Sequence, residues 1–102
     1  MKLILQPNET IIMAGNTKMR HLDQQVQGKL IVTNQRIYFK PLSEEMEKFN
    51  LEILFGNILE VIFYGKGFFS AKGLNVLTRD GKSLMFPLKK RDEIGQLINK
   101  MY

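Results

Sequence analysis

The residues able to carry out catalysis or bind a metal are few in this sequence and are poorly placed for either task. The chain has one histidine, His21, and no cysteine, and it contains no Glu-x-x-His spacing or similar metal-binding pattern. Glu44, Glu45 and Glu47 form a carboxylate cluster, but in a short acidic segment without a partner base. No pair of nucleophile and general base can be proposed. The sequence therefore predicts a protein without catalytic activity, cofactor or bound metal.

A more informative stretch runs from Tyr64 to Gly73, with the sequence YGKGFFSAKG. Its three glycines permit backbone bends, which favours a connecting loop over a strand. Adjacent side chains of an extended segment point to opposite sides, so Phe68 and Phe69 are not expected to face one core together. An exposed phenylalanine beside Lys66 and Lys72 is typical of a membrane-contact loop, with an apolar side chain for the lipid and cations for anionic headgroups. The alternative is that both rings pack on neighbouring side chains or fill a dimer contact.

The net charge of +5 is concentrated in one part of the chain. Between Lys66 and Arg91 there are seven basic residues and one acid, Asp80, and the remainder is nearly balanced. This distribution predicts either a solvated basic face or a surface that binds the phosphates of lipid headgroups or nucleic acid. The sequence has no ribonucleoprotein-type motif and no helix-turn-helix pattern, so a nucleic-acid partner is not expected.

The length of 102 residues, with 44% hydrophobic and 25% charged residues, suits one globular domain spanning residues 1–102. The start, MKLILQPNE, has three consecutive apolar residues, fewer than the about 7 to 15 of a signal peptide. No apolar run approaches the about 18 residues of a membrane span. We therefore expect a cytoplasmic location, compatible with the absence of cysteine, and any membrane contact from one side, at the inner face.

Short strands separated by turns recur along most of the chain. An apolar, β-branched run from Thr10 to Ala14 is followed by a polar stretch that either continues as a frayed strand or opens as a loop. VQGKLIVTNQRIYFK is predicted to form a hairpin that turns at Asn34-Gln35, because its apolar residues alternate along both arms. On the second arm, Arg36, Tyr38 and Lys40 are predicted to point away from that apolar face. GLNVLTRDGKSLMFPL is predicted to form a second hairpin, turning at Asp80-Gly81.

The apolar period changes from 2 to 3.6 near the C-terminus. In KRDEIGQLINKMY, one stripe of a helix is formed by Ile94, Leu97, Ile98 and Met101. Six or seven short strands followed by one amphipathic helix indicate a mostly β fold. Its antiparallel strands form a barrel or sandwich, and the helix covers an open end.

The first hairpin resembles a signature of the GRAM domain family, Gly-x-Leu-x-hydrophobic-Thr-Asn-x-Arg-hydrophobic-x-Phe. The matching residues are Gly28, Leu30, Thr33, Asn34, Arg36, Ile37 and Phe39. The segment ILFGNILEV and the last hairpin are similar to later parts of the family pattern, so the likeness extends over nearly the whole chain. The resemblance implies a pleckstrin-homology-like split barrel of about seven antiparallel strands capped by one C-terminal α-helix. It also implies a membrane-associated role in lipid or protein binding.

The resemblance to pleckstrin-homology domains also implies a phosphate site at the first hairpin. Domains of this kind that bind phosphoinositides use a Lys-x(n)-Arg/Lys-x-Arg arrangement there. Lys18 and Arg20 lead into the corresponding loop, His21 lies beside them, and Lys29 lies on the following strand. The alternative is that these are ordinary surface cations.

The sequence as a whole predicts a non-catalytic binding module that contacts anionic phospholipid headgroups at a membrane surface. Its expected contacts are Lys18, Arg20 and Lys29 near the first hairpin and Lys66, Phe68, Phe69 and Lys72 in one loop. The alternative is a protein-interaction or homo-oligomerisation domain that uses its edge strands and the Phe68/Phe69 loop.

Overall fold

The structure, a computed structural model, describes residues 4–65 and 72–102. Three of the predicted contact residues, Lys66, Phe68 and Phe69, lie outside the described residues. The described chain forms β1 (Ile11–His21), β2 (Gln24–Thr33), β3 (Arg36–Pro41), β4 (Leu51–Leu54), β5 (Ile58–Tyr64), β6 (Gly73–Thr78), β7 (Ser83–Pro87) and α1 (Arg91–Asn99). Two short 3-10 helices, Glu44–Phe49 and Phe55–Asn57, connect β3 to β4 and β4 to β5. These elements confirm the predicted mostly β fold with a C-terminal helix.

The strands form one antiparallel sheet in the order β4-β3-β2-β1-β7-β6-β5. The pairing of β1 with β2 is long and extends from Ile11 opposite Thr33 to His21 opposite Gln24. By contrast, β1 and β7 meet, within the described residues, at the single pair Arg20 and Met85. The sheet therefore consists of two closely paired groups, β1 to β4 and β5 to β7, which separate on either side of this narrow contact.

Both predicted hairpins are confirmed. Asn34 and Gln35 separate β2 from β3, and the turn between β6 and β7 contains Asp80 and Gly81. Gly81 has a φ of +92°, a conformation that a residue without Cβ adopts without steric cost. Of the two alternatives for the polar stretch after Ala14, the strand is correct, because β1 continues to His21.

The core lies between the inward faces of the two strand groups and the apolar stripe of α1. Phe39 and Phe86 are fully buried there, with ring centroids 6.1 Å apart. Ile94 and Ile98 of α1 are also fully buried, which confirms the predicted stripe. Gly95 allows the helix to approach β5 closely, because a Cβ at this position would lie 2.3 Å from the Phe63 ring.

The outward side of the first hairpin is covered by another part of the chain. Arg36 and Tyr38 do point away from the apolar face, but they are 6% and 7% exposed and therefore do not form a solvated surface. Arg36 is covered by the N-terminal segment, since its guanidinium donates a hydrogen bond to the Ile4 carbonyl and pairs with Glu9. Strand alternation alone does not reveal this second layer.

Candidate functional site

The cations predicted at the first hairpin lie on the outward face of the β1–β2 pair. Lys18 and Arg20 share one side of β1, and Lys29 lies opposite Asn16, which is on that same side. All three side chains are exposed. Lys18 and Lys29 are therefore diagonal neighbours across the two strands. The turn itself is formed by Leu22 and Asp23, so these cations line the strand face instead of surrounding the turn.

A groove opens where β1 separates from β7. Its volume is about 830 Å³. Lysines from three separate parts of the chain line it: Lys18 on β1, Lys72 before β6, and Lys89 and Lys90 between β7 and α1. The described residues that line the groove include no aspartate or glutamate. The fold thus brings cations that are far apart in sequence to one groove.

The floor of the groove is apolar and built from small residues. A Cβ added at Gly15 would lie 3.5 Å from the Ile94 side chain and 3.6 Å from that of Leu88, so Gly15 faces both. Gly28, which pairs with Thr17, also lines the groove and has no room for a side chain, because a Cβ there would lie 2.4 Å from the Lys40 carbonyl oxygen. Gly15 therefore leaves room beside Leu88 and Ile94, whereas Gly28 allows close packing against Lys40 and the Phe39 ring.

Thr17 contributes the one buried hydroxyl among the described lining residues that lacks a partner. The residue is 6% exposed, and its Oγ1 has no hydrogen-bond partner within the described part of the chain. Buried hydroxyl groups are nearly always hydrogen-bonded, since an unsatisfied one costs about 1–3 kcal/mol. The Thr17 hydroxyl is therefore a buried polar group that the described part of the chain leaves unsatisfied.

Another polar cluster, which the sequence did not reveal, attaches the N-terminal segment to the β2–β3 hairpin. The Glu9 carboxylate accepts hydrogen bonds from Arg36 Nε at 2.8 Å, from Arg36 Nη2 at 2.9 Å and from Thr33 Oγ1 at 2.7 Å. Asn34 accepts a hydrogen bond from the Thr10 N–H and donates one to the Asn8 carbonyl. Thr33, Asn34 and Arg36, the polar residues of the signature, therefore have a structural role in this chain.

The hydrogen bonds from Arg36 hold the pKa of Glu9 at about 2, although burial acts in the opposite direction. The Glu9 side chain has no exposed surface, and the Arg36 side chain is 8% exposed. Arg36 also pairs with Glu52, whose side chain is 41% exposed. The buried charge of Glu9 is thus compensated by its ion pair and hydrogen bonds within the fold.

Other predicted residues have more limited roles. Lys72 is exposed and lines the groove, while its carbonyl accepts a hydrogen bond from the Leu88 N–H at 2.9 Å. His21 Nδ1 lies 3.1 Å from the Ser83 carbonyl oxygen. Arg91, part of the basic stretch, donates to the carbonyls of Tyr64 and Gly65 and pairs with Asp92. Arg91 therefore anchors the end of β5 to α1.

In residues 4–65 and 72–102, no group of three or more His, Cys, Asp or Glu side chains is placed to hold a metal ion. No helix in this part of the chain combines the length and apolar character needed to cross a bilayer.

Solved structures share this arrangement over most of the chain. The C-terminal domain of an unknown protein from Leishmania infantum superposes with a TM-score of 0.78 at 16% identity, covering 93% of this chain and 85% of that one. The Vps36 N-terminal PH domain gives a TM-score of 0.72 at 16% identity, with 96% and 82% covered. A pleckstrin homology domain from Shewanella amazonensis SB2B gives 0.60 at 15% identity, with 95% and 86% covered.

Sequence comparisons give no family assignment. No protein-family model matches the chain, and no curated protein matches it. Membership of the GRAM family therefore stays a prediction. The structural neighbours confirm the coarser part of the resemblance: the chain has a pleckstrin-homology-like fold.

Proposed function

We propose that residues 1–102 form a single, non-catalytic binding module that contacts an anionic phospholipid surface from the cytoplasm, at the inner face of a membrane. The observation that supports this function is the grouping of exposed cations from separate elements. The outward face of β1 and β2 carries Lys18, Arg20 and Lys29, and the groove beside it carries Lys72, Lys89 and Lys90. The neighbouring PH domains are consistent with a binding module of this type.

The expected affinity is weak and dependent on salt. A basic residue near an anionic leaflet contributes about 1 kcal/mol, and the surface potential decays over a Debye length of about 8 Å at physiological ionic strength. Several lysines together therefore give reversible attachment that raised salt removes. Lys66, Phe68 and Phe69, which lie outside the described residues and precede Lys72 in sequence, are proposed as further contacts.

The test is co-sedimentation with vesicles of phosphatidylcholine alone and with added phosphatidylserine. The triple variant Lys72→Gln/Lys89→Gln/Lys90→Gln is expected to bind the anionic vesicles less well than the parent chain. The matched control, Lys48→Gln/Lys82→Gln/Lys100→Gln, removes the same charge from exposed positions outside the groove and should lose less binding. The proposal fails if the parent chain binds neither vesicle, or if it binds both equally.

The two phenylalanines are tested by Phe68→Ser/Phe69→Ser. We expect weaker binding to anionic vesicles with a nearly unchanged thermal midpoint, because a contact residue contributes to the membrane complex more than to the fold. A large fall in the thermal midpoint would instead assign both rings to the core and remove them from the proposed contact.

A second candidate function is protein interaction or self-association through the edge strands. Leu54 at the end of β4 and Leu59 on β5 are each 55% exposed, and Ile62 is 40% exposed. Edge strands with exposed apolar side chains can pair with another chain. Size-exclusion chromatography with light scattering separates the two functions, since a stable oligomer that Phe68→Ser dissociates would favour assembly.

A further inference from the structure

Two of the lysine-bearing segments that line the groove are joined to each other by two links. The Leu88 N–H donates a hydrogen bond to the Lys72 carbonyl at 2.9 Å, which joins the residue before β6 to the residue after β7. Leu88 directly precedes Lys89 and Lys90 in the chain. This first link is made by backbone atoms alone. The second link is made by a side chain, that of Arg91, and can therefore be changed by substitution.

Arg91 is the first residue of α1, and its guanidinium holds the end of β5. Nη1 donates hydrogen bonds to the Tyr64 carbonyl at 2.8 Å and to the Gly65 carbonyl at 2.6 Å. Nε donates to the Asp92 carboxylate at 3.0 Å, and the guanidinium carbon lies 6.0 Å from the centre of the Phe63 ring. These contacts together use the planar shape and the several donors of the guanidinium.

The backbone that Arg91 holds is the end of the β5–β6 pair. Gly65 follows β5, and its φ of +90° is a left-handed conformation that glycine adopts without steric cost. Tyr64 pairs with Gly73, the residue directly after Lys72. Holding Tyr64 and Gly65 against α1 therefore also holds Lys72 near the β7–α1 connection.

The charge of Arg91 is poorly placed to contact lipid directly. Its side chain is 19% exposed and is paired with Asp92. Lys89 and Lys90 are exposed instead, and neither forms an ion pair between described side chains. Arg91 thus differs in its contacts from the lysines of the same basic stretch.

We propose that Arg91 is a positioning residue for the lipid contact: it holds two lysine-bearing segments of the groove at one surface and does not bind lipid itself. This role rests on the proposed membrane function and adds a residue to it. The potential of an anionic leaflet decays over a Debye length of about 8 Å, so cations of separate segments act together only when those segments lie side by side. The contribution of Arg91 to binding therefore depends on its guanidinium geometry more than on its charge.

The experiment is co-sedimentation of the full chain with vesicles of phosphatidylcholine and phosphatidylserine, using substitutions that separate charge from geometry. Arg91→Lys keeps the charge but loses the Nε donor and the planar group that lies over Phe63. We expect its partitioning onto vesicles to fall about fivefold, the effect of losing one lysine contact, and Arg91→Gln to lose nearly the same. Lys90→Arg keeps the charge at a proposed contact position and should bind as the parent chain does.

Two controls separate positioning from a general loss of stability. Arg79→Lys makes the same substitution at an exposed position outside the groove and should leave binding unchanged. Thr78→Val removes a hydroxyl that accepts a hydrogen bond from the Lys82 N–H at 3.0 Å, so it should lower stability away from the groove and leave vesicle binding unchanged. Thermal midpoints of all variants establish that each protein is folded at the temperature of the binding measurement.

Three results would contradict the expectation, and they differ in what they remove. Binding of Arg91→Lys equal to that of the parent chain overturns the role of Arg91, because its charge would then suffice. Equal losses of binding in Arg91→Lys and Thr78→Val also overturn it, because reduced stability would then explain both. A parent chain that does not bind anionic vesicles removes the proposed membrane function and this role with it, whereas the first two results leave that function standing.

Discussion

Glu9 and Thr17 are both buried polar residues, but they differ in their hydrogen bonding. The Glu9 carboxylate accepts hydrogen bonds from Gln6, Thr33 and Arg36, while the Thr17 hydroxyl has no partner within the described residues. A fully partnered buried group attaches one segment to another, whereas an unpartnered one costs stability unless a ligand satisfies it. The comparison separates a buried polar residue that holds this domain together from one whose hydroxyl the described fold leaves unsatisfied.

The largest expected effect comes from removing the partner of Glu9. Arg36→Gln should lower the free energy of unfolding by about 3–5 kcal/mol, because it leaves a carboxylate buried without a compensating charge. Urea denaturation followed by circular dichroism measures this loss. Glu52→Gln is the control: it removes the half-exposed partner of Arg36, and its cost should be below about 1 kcal/mol. Similar losses in both variants would contradict the distinction between the buried and exposed pairs.

The pH dependence of stability should report the ionisation of the same carboxylate, Glu9. The pKa of Glu9 is lowered from its ordinary value of 4.5 to about 2 in the folded protein, chiefly by the hydrogen bonds from Arg36. Its stabilisation is therefore complete above pH 4.5 and is lost as the pH falls from 4.5 towards 2. Denaturation across this window should give a steeper decline for the parent chain than for Glu9→Gln. Equal slopes would show that Glu9 does not titrate as proposed.

The sequence reveals elements whose cause is local and misses features that depend on distant contacts. The hairpins follow from alternating apolar residues and turn residues such as Asp80-Gly81, and α1 follows from the spacing of Ile94 and Ile98. Alternation predicts that Arg36 points away from the apolar face, but it does not reveal the N-terminal segment that covers this side chain. The unpartnered hydroxyl of Thr17 has no sequence signal, since the partners of a buried side chain depend on residues that are distant in sequence.

A smaller effect on the free energy of unfolding is expected from removing the unpartnered hydroxyl of Thr17 or the partnered hydroxyl of Thr78. Thr17 and Thr78 are 6% and 5% exposed, but Thr78 Oγ1 donates a hydrogen bond to Asp80 and accepts one from the Lys82 N–H at 3.0 Å. Thr17→Val should raise the free energy of unfolding by about 1 kcal/mol, and Thr78→Val should lower it by about 1 kcal/mol. Calorimetry should then show midpoint shifts of opposite sign, each about 4–8 °C. A fall in both variants would mean that Thr17 is satisfied in the folded protein.

The smallest effect concerns the lysines around the groove. Lys89→Gln/Lys90→Gln should raise stability at low ionic strength, by less than about 1 kcal/mol, because it relieves repulsion among four cations that have no carboxylate beside them in the described lining. Lys82→Gln/Lys100→Gln should instead lower stability at low ionic strength, because it removes a favourable interaction with a carboxylate. Beside the hydrogen bond from Thr78, the charge of Lys82 helps to lower the pKa of Asp80. Thermal midpoints measured in low and high salt test both variants, and salt should remove most of either shift. A destabilised Lys89→Gln/Lys90→Gln would show that these lysines support the fold, as Arg36 does. The positive charge at these two positions would then have a structural role and would no longer support the proposed contact with anionic lipid.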